Sequence, residues 1–181
     1  MQTFSFGSFA WRVVASHVLT YFVFGLLAST LFEYRTLYAE TELRHLMRST
    51  DTAWVAAGAA LQFVRGMVFA MVLWPIADRI VHGVRGGLLL YGLMLGLAVL
   101  GTAGPAPGSL EGMIYTTLPL RIHLIGLPEV ILQTGAFSFL LVTWCRKPAR
   151  WMNVAAIIGC VLIALMSAAG VLAALGVIAA R

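Results

Sequence analysis

Five apolar runs, separated by short polar segments, dominate this chain of 181 residues. They cover approximately residues 11–32, 53–77, 87–102, 121–144 and 151–179. A membrane-spanning helix needs about 20 consecutive apolar residues, which these runs supply or approach. Since 61% of the residues are hydrophobic and only 10% are charged, little of the chain is left for a soluble domain. The sequence predicts one integral membrane domain, residues 1–181, with the all-α fold of a five-span transmembrane helical bundle.

Basic residues in the short turns predict the orientation of this bundle. Arg79 and Arg85 lie between the second and third runs, and Arg146, Lys147 and Arg150 lie between the fourth and fifth. Short loops that are rich in arginine and lysine remain on the cytoplasmic side of a membrane. We therefore expect a protein of the plasma membrane, the inner membrane of a bacterium, with its N-terminus in the cytoplasm and its C-terminus outside.

The composition also argues against several classes of function. The 12 basic residues are scattered at the ends of apolar runs, whereas a nucleic-acid surface needs them clustered. The sequence contains no HExxH, CxxC or GxSxG pattern, so it indicates neither a metal site nor a hydrolase elbow. We expect no cofactor. The expected partners are membrane lipids and, because the chain is small, further copies in a homo-oligomer or the subunits of a larger membrane complex.

Arg65 lies in the middle of the second apolar run. A guanidinium at the centre of a bilayer costs about 3 kcal/mol or more, so it is expected to face the bundle interior and to have a partner. Glu129 in the fourth run lies about 6 Å further from the cytoplasmic side, within reach of an arginine side chain. The sequence predicts an ion pair between Arg65 and Glu129, with Gln62 and Gln133 continuing a polar stripe along the same helix faces.

Residues 101–130, between the third and fourth runs, combine glycine and proline with charged side chains. Ser109 is expected to cap a short helix that begins at Leu110 and ends before Pro119. The fourth span begins either near Arg121, with a kink at Pro128, or at Pro128 itself, which makes the preceding segment partly re-entrant. Either arrangement predicts a cavity that opens outward, because irregular backbone at this depth must be surrounded by protein or water.

These two regions supply the candidate site residues. We expect the cavity to bind or pass a small anionic or amphiphilic, lipid-like ligand, since arginine binds phosphate and carboxylate groups well. The candidate ligand-binding residues are Arg65, Glu129, Gln133, Gln62, Arg121, Tyr115 and Glu33.

Two alternative functions remain open on the sequence. An intramembrane enzyme that acts on a lipid or a lipid-linked substrate would use His123 or Glu111 as a general acid or base. A structural membrane subunit would instead use the pair of Arg65 and Glu129 only as a strut between two helices.

Overall fold

The computed structural model describes residues 5–100 and 104–178, and within these ranges the protein is helical, with no β-strand. The predicted all-α membrane bundle is thereby confirmed. The ends predicted for the third and fifth spans, at residues 102 and 179, lie outside the described residues. The α-helices are α1 (Phe6–Leu31), α2 (Tyr34–Glu40), α3 (Ala53–Leu73), α4 (Ala77–His82), α5 (Gly86–Leu100), α6 (Leu110–Tyr115), α7 (Leu120–Ile125), α8 (Leu127–Arg146) and α9 (Arg150–Ala174).

Four stretches of helix among the described residues are long and apolar enough to cross a membrane. They are α1, α3 with its continuation through α4, α7 with α8, and α9, and the shorter apolar helix α5 covers the third predicted run. In the stretch formed by α7 and α8, which corresponds to the fourth predicted span, helical backbone begins at Leu120 and is interrupted at Gly126, with Pro128 in the first turn of α8. The structure therefore combines the two starts considered for this span.

Helix α1 lies at the centre of the bundle. It packs against α3, α8 and α9, whereas α5 packs mainly against α8. Close approach of α1 and α3 depends on Gly66, because a Cβ atom there would lie only 2.9 Å from the Cα of Val14. Helices α3 and α8 both pack on α1 and also meet each other, with the ring centroids of Phe69 and Phe137 6.3 Å apart.

The two ends of the bundle differ in packing, and we name them after one residue in each. The Tyr34 end holds the C-terminus of α1, and the Arg146 end holds its N-terminus. The two buried apolar clusters use α1 side chains from Phe9 to Val18, in its half nearer the Arg146 end. Beyond Thr20, Ala28 is the only buried residue of α1, so the described bundle is open toward the Tyr34 end.

The surface of the long helices is apolar. Of the 18 most apolar consecutive residues of α9, only 22% are buried inside the protein. Ile158, Leu162 and Leu165 are all more than half exposed. A soluble domain rarely exposes a continuous apolar surface of this size. The lipid tails of a membrane are the environment that such a surface fits.

Candidate functional site

A cavity of about 740 Å³ lies at the Tyr34 end of the bundle, and we call it the tyrosine cavity. It lies between α1, α3 and α9, and residues between Tyr34 and Thr50 form part of its wall. Its lining is mainly apolar, and its polar side chains are few. The lining residues are Tyr21, Phe22, Gly25, Leu26, Ser29, Tyr34, Tyr38, Leu46, Met47, Arg48, Thr50, Val55, Ala56, Gly58, Ala59, Glu129, Met166, Ser167 and Gly170.

Small residues on α3 and α9 create this space. A Cβ atom at Gly58 would meet no other atom within 4 Å, so a side chain at this position would point into open space. Ala56 and Ala59 on α3 line the same wall. The contrast with Gly66 is informative, because two glycines on one helix have opposite effects. Gly66 lets α1 approach closely, whereas Gly58 faces open space.

Glu129 is the acidic residue that lines the tyrosine cavity, and Tyr34 holds its carboxylate. The hydroxyl of Tyr34 donates a hydrogen bond of 2.5 Å to Oε2 of Glu129. A distance this short is typical of a hydroxyl bound to an ionised carboxylate. Gly25 provides the room on α1, since its Cβ position would lie 3.7 Å from Oε1 of Glu129. The predicted ligand-binding residue Glu129 is thus placed in a cavity wall.

The turn before α2 explains how Tyr34 reaches this carboxylate. Glu33 has a φ of +47°, the left-handed conformation, and reverses the chain direction between α1 and α2. Tyr34 then stacks on Tyr38 one helical turn later, with ring centroids 5.1 Å apart and an interplanar angle of 22°. Glu33 itself is exposed and does not line the cavity. Its contribution to the site is the backbone turn that positions Tyr34.

Burial and the charge of Glu129 keep these two tyrosines protonated. Burial is the main cause that raises the pKa of Tyr34, and its hydrogen bond to Glu129 raises this pKa further. Burial and the nearby carboxylate likewise raise the pKa of Tyr38 to about 12. Both hydroxyls therefore remain neutral hydrogen-bond donors over the physiological pH range.

Arg48 brings a positive charge to the same cavity. It is exposed, and its guanidinium lies over the ring of Trp54 at 5.7 Å from the centroid. Among the residues that the structure describes, no carboxylate lies within 4 Å of Arg48. The sequence pattern alone does not mark Arg48, Tyr21 or Tyr38 as site residues. The signal was weak, since only Tyr34 and Tyr38 share a helix face at a spacing of four residues.

The predicted ion pair between Arg65 and Glu129 is wrong. Within residues 5–100 and 104–178, the recorded salt bridges do not include it. The guanidinium of Arg65 is exposed and lies 5.3 Å from the ring centroid of Phe69. The physical reason is the orientation of α3. Its buried face carries Gln62, Gly66 and Ala70, whereas Arg65 lies off this face and is exposed.

The two predicted glutamines have different environments. Gln62 is buried between α1 and α3, where its Oε1 accepts a hydrogen bond of 3.1 Å from Nε2 of His17 and its amide donates to the carbonyl of Gly58. Gln133 on α8 is half-buried and is not part of the cavity lining. Gln62 therefore ties α1 to α3 below the tyrosine cavity, as a structural contact.

A second cavity of about 740 Å³ is lined by residues between Glu40 and Leu46 and between Tyr115 and Arg121. It holds the remaining predicted ligand-binding residues. Tyr115 and Arg121 line it together with Glu42, and Arg121 forms an ion pair of 3.4 Å with that carboxylate. Both side chains of the pair are largely solvent-exposed. Exposed pairs contribute about 0–1 kcal/mol. The charge of Arg121 is therefore already paired with that of Glu42 in this cavity.

The two catalytic candidates do not meet. His123 is buried, with Nδ1 accepting a hydrogen bond of 3.1 Å from the Gly108 amide and Nε2 lying 3.3 Å from Oγ1 of Thr116. Because Thr116 donates its hydroxyl proton to the Gly112 carbonyl, Nε2 of His123 is the donor in this contact. Glu111 is in the first turn of α6. A catalytic role for either residue stays a prediction, and the contacts of His123 hold the 104–125 segment together.

No three His, Cys, Asp or Glu side chains in the described part of the chain lie together as a metal ion requires. What the geometry offers is a cavity with one carboxylate, one guanidinium, neutral tyrosine hydroxyls and apolar walls. Such a lining suits an amphiphilic molecule better than a small ion. The sequence matches no protein-family model, and neither a curated protein nor a solved structure shows significant similarity to it.

Proposed function

We propose that this membrane protein binds one lipid-like amphiphile in the tyrosine cavity, with the ligand's polar group beside Glu129. The observation that carries the proposal is the pairing of apolar walls with a carboxylate in one space of about 740 Å³. Ligand sites of this size are commonly apolar, with few polar groups that orient the ligand. The positive-inside rule places the Tyr34 end outside, so the cavity would open away from the cytoplasm.

The position of the cavity supports a ligand that comes from the membrane. Its walls belong to α1, α3 and α9, three of the helices long enough to span a bilayer. Leu26, Val55 and Met166 line it, and each is more than one-third exposed. Acyl chains are apolar enough to cover such residues without a desolvation cost. A water-soluble ion would leave most of this lining uncovered.

The test is to fill the cavity and measure the amphiphile that the protein retains. Gly58→Leu places a large side chain in open space of the lining. Gly92→Leu is the matched control, since Gly92 on α5 also has no atom within 4 Å of its Cβ position and lies outside the cavity. The protein and both variants would be purified in mild detergent and weighed by native mass spectrometry.

The proposal predicts that the original chain and Gly92→Leu carry one amphiphile each and that Gly58→Leu loses it. Equal retention by Gly58→Leu and by the control would overturn the proposal. A thermal unfolding curve for each variant shows that all three proteins are folded when they are weighed. Because the substitution adds volume without removing a polar contact, loss of the amphiphile would report on the space itself.

A further inference from the structure

The two charges of the tyrosine cavity point to a specific headgroup. We infer that the cavity recognises a zwitterionic phospholipid headgroup, with its ammonium beside Glu129 and its phosphate beside Arg48. This inference rests on the proposed function, since it names the chemical class of the amphiphile that the same cavity binds. Glu129 and Arg48 line one space, yet no ion pair joins them in the described ranges. Neither charge is neutralised by the other, so each can attract the opposite charge of a ligand.

The surroundings of Glu129 suit an ammonium group. Tyr34 and Tyr38 stack beside the carboxylate, and Tyr21 lines the same wall. The face of an aromatic ring attracts a cation, and a carboxylate adds direct charge pairing. One carboxylate oxygen accepts the Tyr34 hydrogen bond, while Oε1 points toward Gly25, where the absence of a side chain leaves room. A primary or methylated ammonium fits between these groups.

The surroundings of Arg48 suit a phosphate. Its guanidinium is held over the Trp54 ring at the edge of the cavity, so its orientation is restricted before a ligand arrives. Guanidinium groups bind phosphate through two parallel hydrogen bonds. Arg48 and Trp54 lie on either side of the beginning of α3, at the end of the bundle where lipid headgroups lie if α3 spans the membrane. Trp54 is 68% exposed, as expected for a tryptophan at a membrane interface.

The remaining walls suit the acyl chains. Phe22 and Leu26 on α1 and Met166 on α9 add apolar surface to the lining. A ligand that satisfied both charges but lacked chains would leave these side chains uncovered. Conversely, an anionic phospholipid would satisfy Arg48 but bring no cation to Glu129. The combination selects molecules that carry an ammonium, a phosphate and apolar chains together.

The experiment compares four probes in detergent by native mass spectrometry titration. They are dioctanoyl-phosphatidylethanolamine, dioctanoyl-phosphatidylglycerol, octylamine and free phosphoethanolamine. The first has all three features, and each of the others lacks one or more. We expect the phosphatidylethanolamine to bind at least about tenfold more tightly than phosphatidylglycerol, which is the value of one additional charge-assisted contact. We expect the chain-free phosphoethanolamine to bind weakly, which separates a lipid from a soluble source of the same headgroup.

Variants assign the two charges. Glu129→Gln should reduce the preference for phosphatidylethanolamine over phosphatidylglycerol to near unity, and Arg48→Gln should weaken both phospholipids. Glu111→Gln and Arg85→Gln are the matched controls, because neither residue lines the cavity. Arg48→Lys retains the charge and should recover most of the binding. These conservative variants keep the test decisive if a stronger substitution prevents folding.

Two results would overturn the inference. One is equal affinity for the two phospholipids, and the other is an unchanged preference in Glu129→Gln. If both phospholipids bind equally and Gly58→Leu blocks both, the headgroup inference fails while amphiphile binding in the cavity stands. If Gly58→Leu leaves all lipid binding intact, the proposed function itself fails.

Discussion

The hydrogen bond between Tyr34 and Glu129 yields the sharpest test of the site geometry. The structure pairs this carboxylate with a tyrosine hydroxyl at 2.5 Å, whereas sequence reasoning pairs it with Arg65. A hydrogen bond to a charged group contributes about 1.5–3 kcal/mol to stability. Because both side chains are only partly buried, we expect the lower end of that range, about 1.5 kcal/mol. The alternative geometry predicts no such coupling between Tyr34 and Glu129.

A double-mutant cycle measures this coupling. Tyr34→Phe, Glu129→Ala and the double variant would be unfolded reversibly with sodium dodecyl sulfate in bicelles, with tryptophan fluorescence as the readout. The free energy of unfolding of each variant gives the interaction term, which removes effects that each substitution has alone. Tyr38→Phe with Glu129→Ala is the matched control, since the structure records no hydrogen bond between Tyr38 and Glu129.

A second cycle uses Arg65→Ala with Glu129→Ala. Residues that share no contact usually show additive effects within about 0.5 kcal/mol, and we expect this cycle to fall there. The reasoning is refuted if the Tyr34 cycle gives less than about 0.5 kcal/mol. It is also refuted if the coupling of Arg65 to Glu129 exceeds that of Tyr34.

Three further predictions concern packing, capping and pH. Gly66→Ala should lower the free energy of unfolding by about 1–3 kcal/mol, because the added Cβ would meet the α1 backbone. Gly92→Ala has open space around its Cβ and should be neutral. Unfolding in bicelles measures both variants. Ser109→Ala removes the cap of α6 and should cost about 1 kcal/mol by the same assay. Since the folded-state pKa of Tyr38 is raised, its stabilising effect is complete below about pH 10 and is lost as the pH rises through about 12. Tyr38→Phe should flatten that alkaline decline in unfolding curves recorded at increasing pH.

Hydropathy predicts the long apolar helices, because burial in lipid imposes one strong rule on every residue of a span. Helix capping was predictable as well, because it depends on residues that are close together in the sequence. Ser109 caps α6 as expected, its Oγ accepting the Gly112 amide hydrogen bond at 3.0 Å. The interruption at Gly126 combined both predicted starts of the fourth span, since Pro128 is compatible with the first turn of a helix.

The partner of Arg65 was beyond the reach of such reasoning. Depth along a helix follows from counting residues, but the direction of a side chain around the helix depends on which helices are neighbours. The sequence does not state which face of α3 packs on its neighbours, and Arg65 lies off that buried face. The role of Tyr38 was hidden for a related reason. It depends on the left-handed turn at Glu33, which no glycine or proline in the sequence indicates.

The central claim is that an amphiphile lies inside the tyrosine cavity, and photo-crosslinking tests it most directly. A phosphatidylethanolamine with a diazirine in its acyl chain would be activated in bilayers that contain the protein, and the labelled peptides would be mapped by mass spectrometry. The account predicts labelling concentrated on cavity residues such as Leu26 and Met166, and its loss in Gly58→Leu. Labelling spread evenly over the outer face of α9, at Leu162 and Leu165, and unchanged by Gly58→Leu would contradict it.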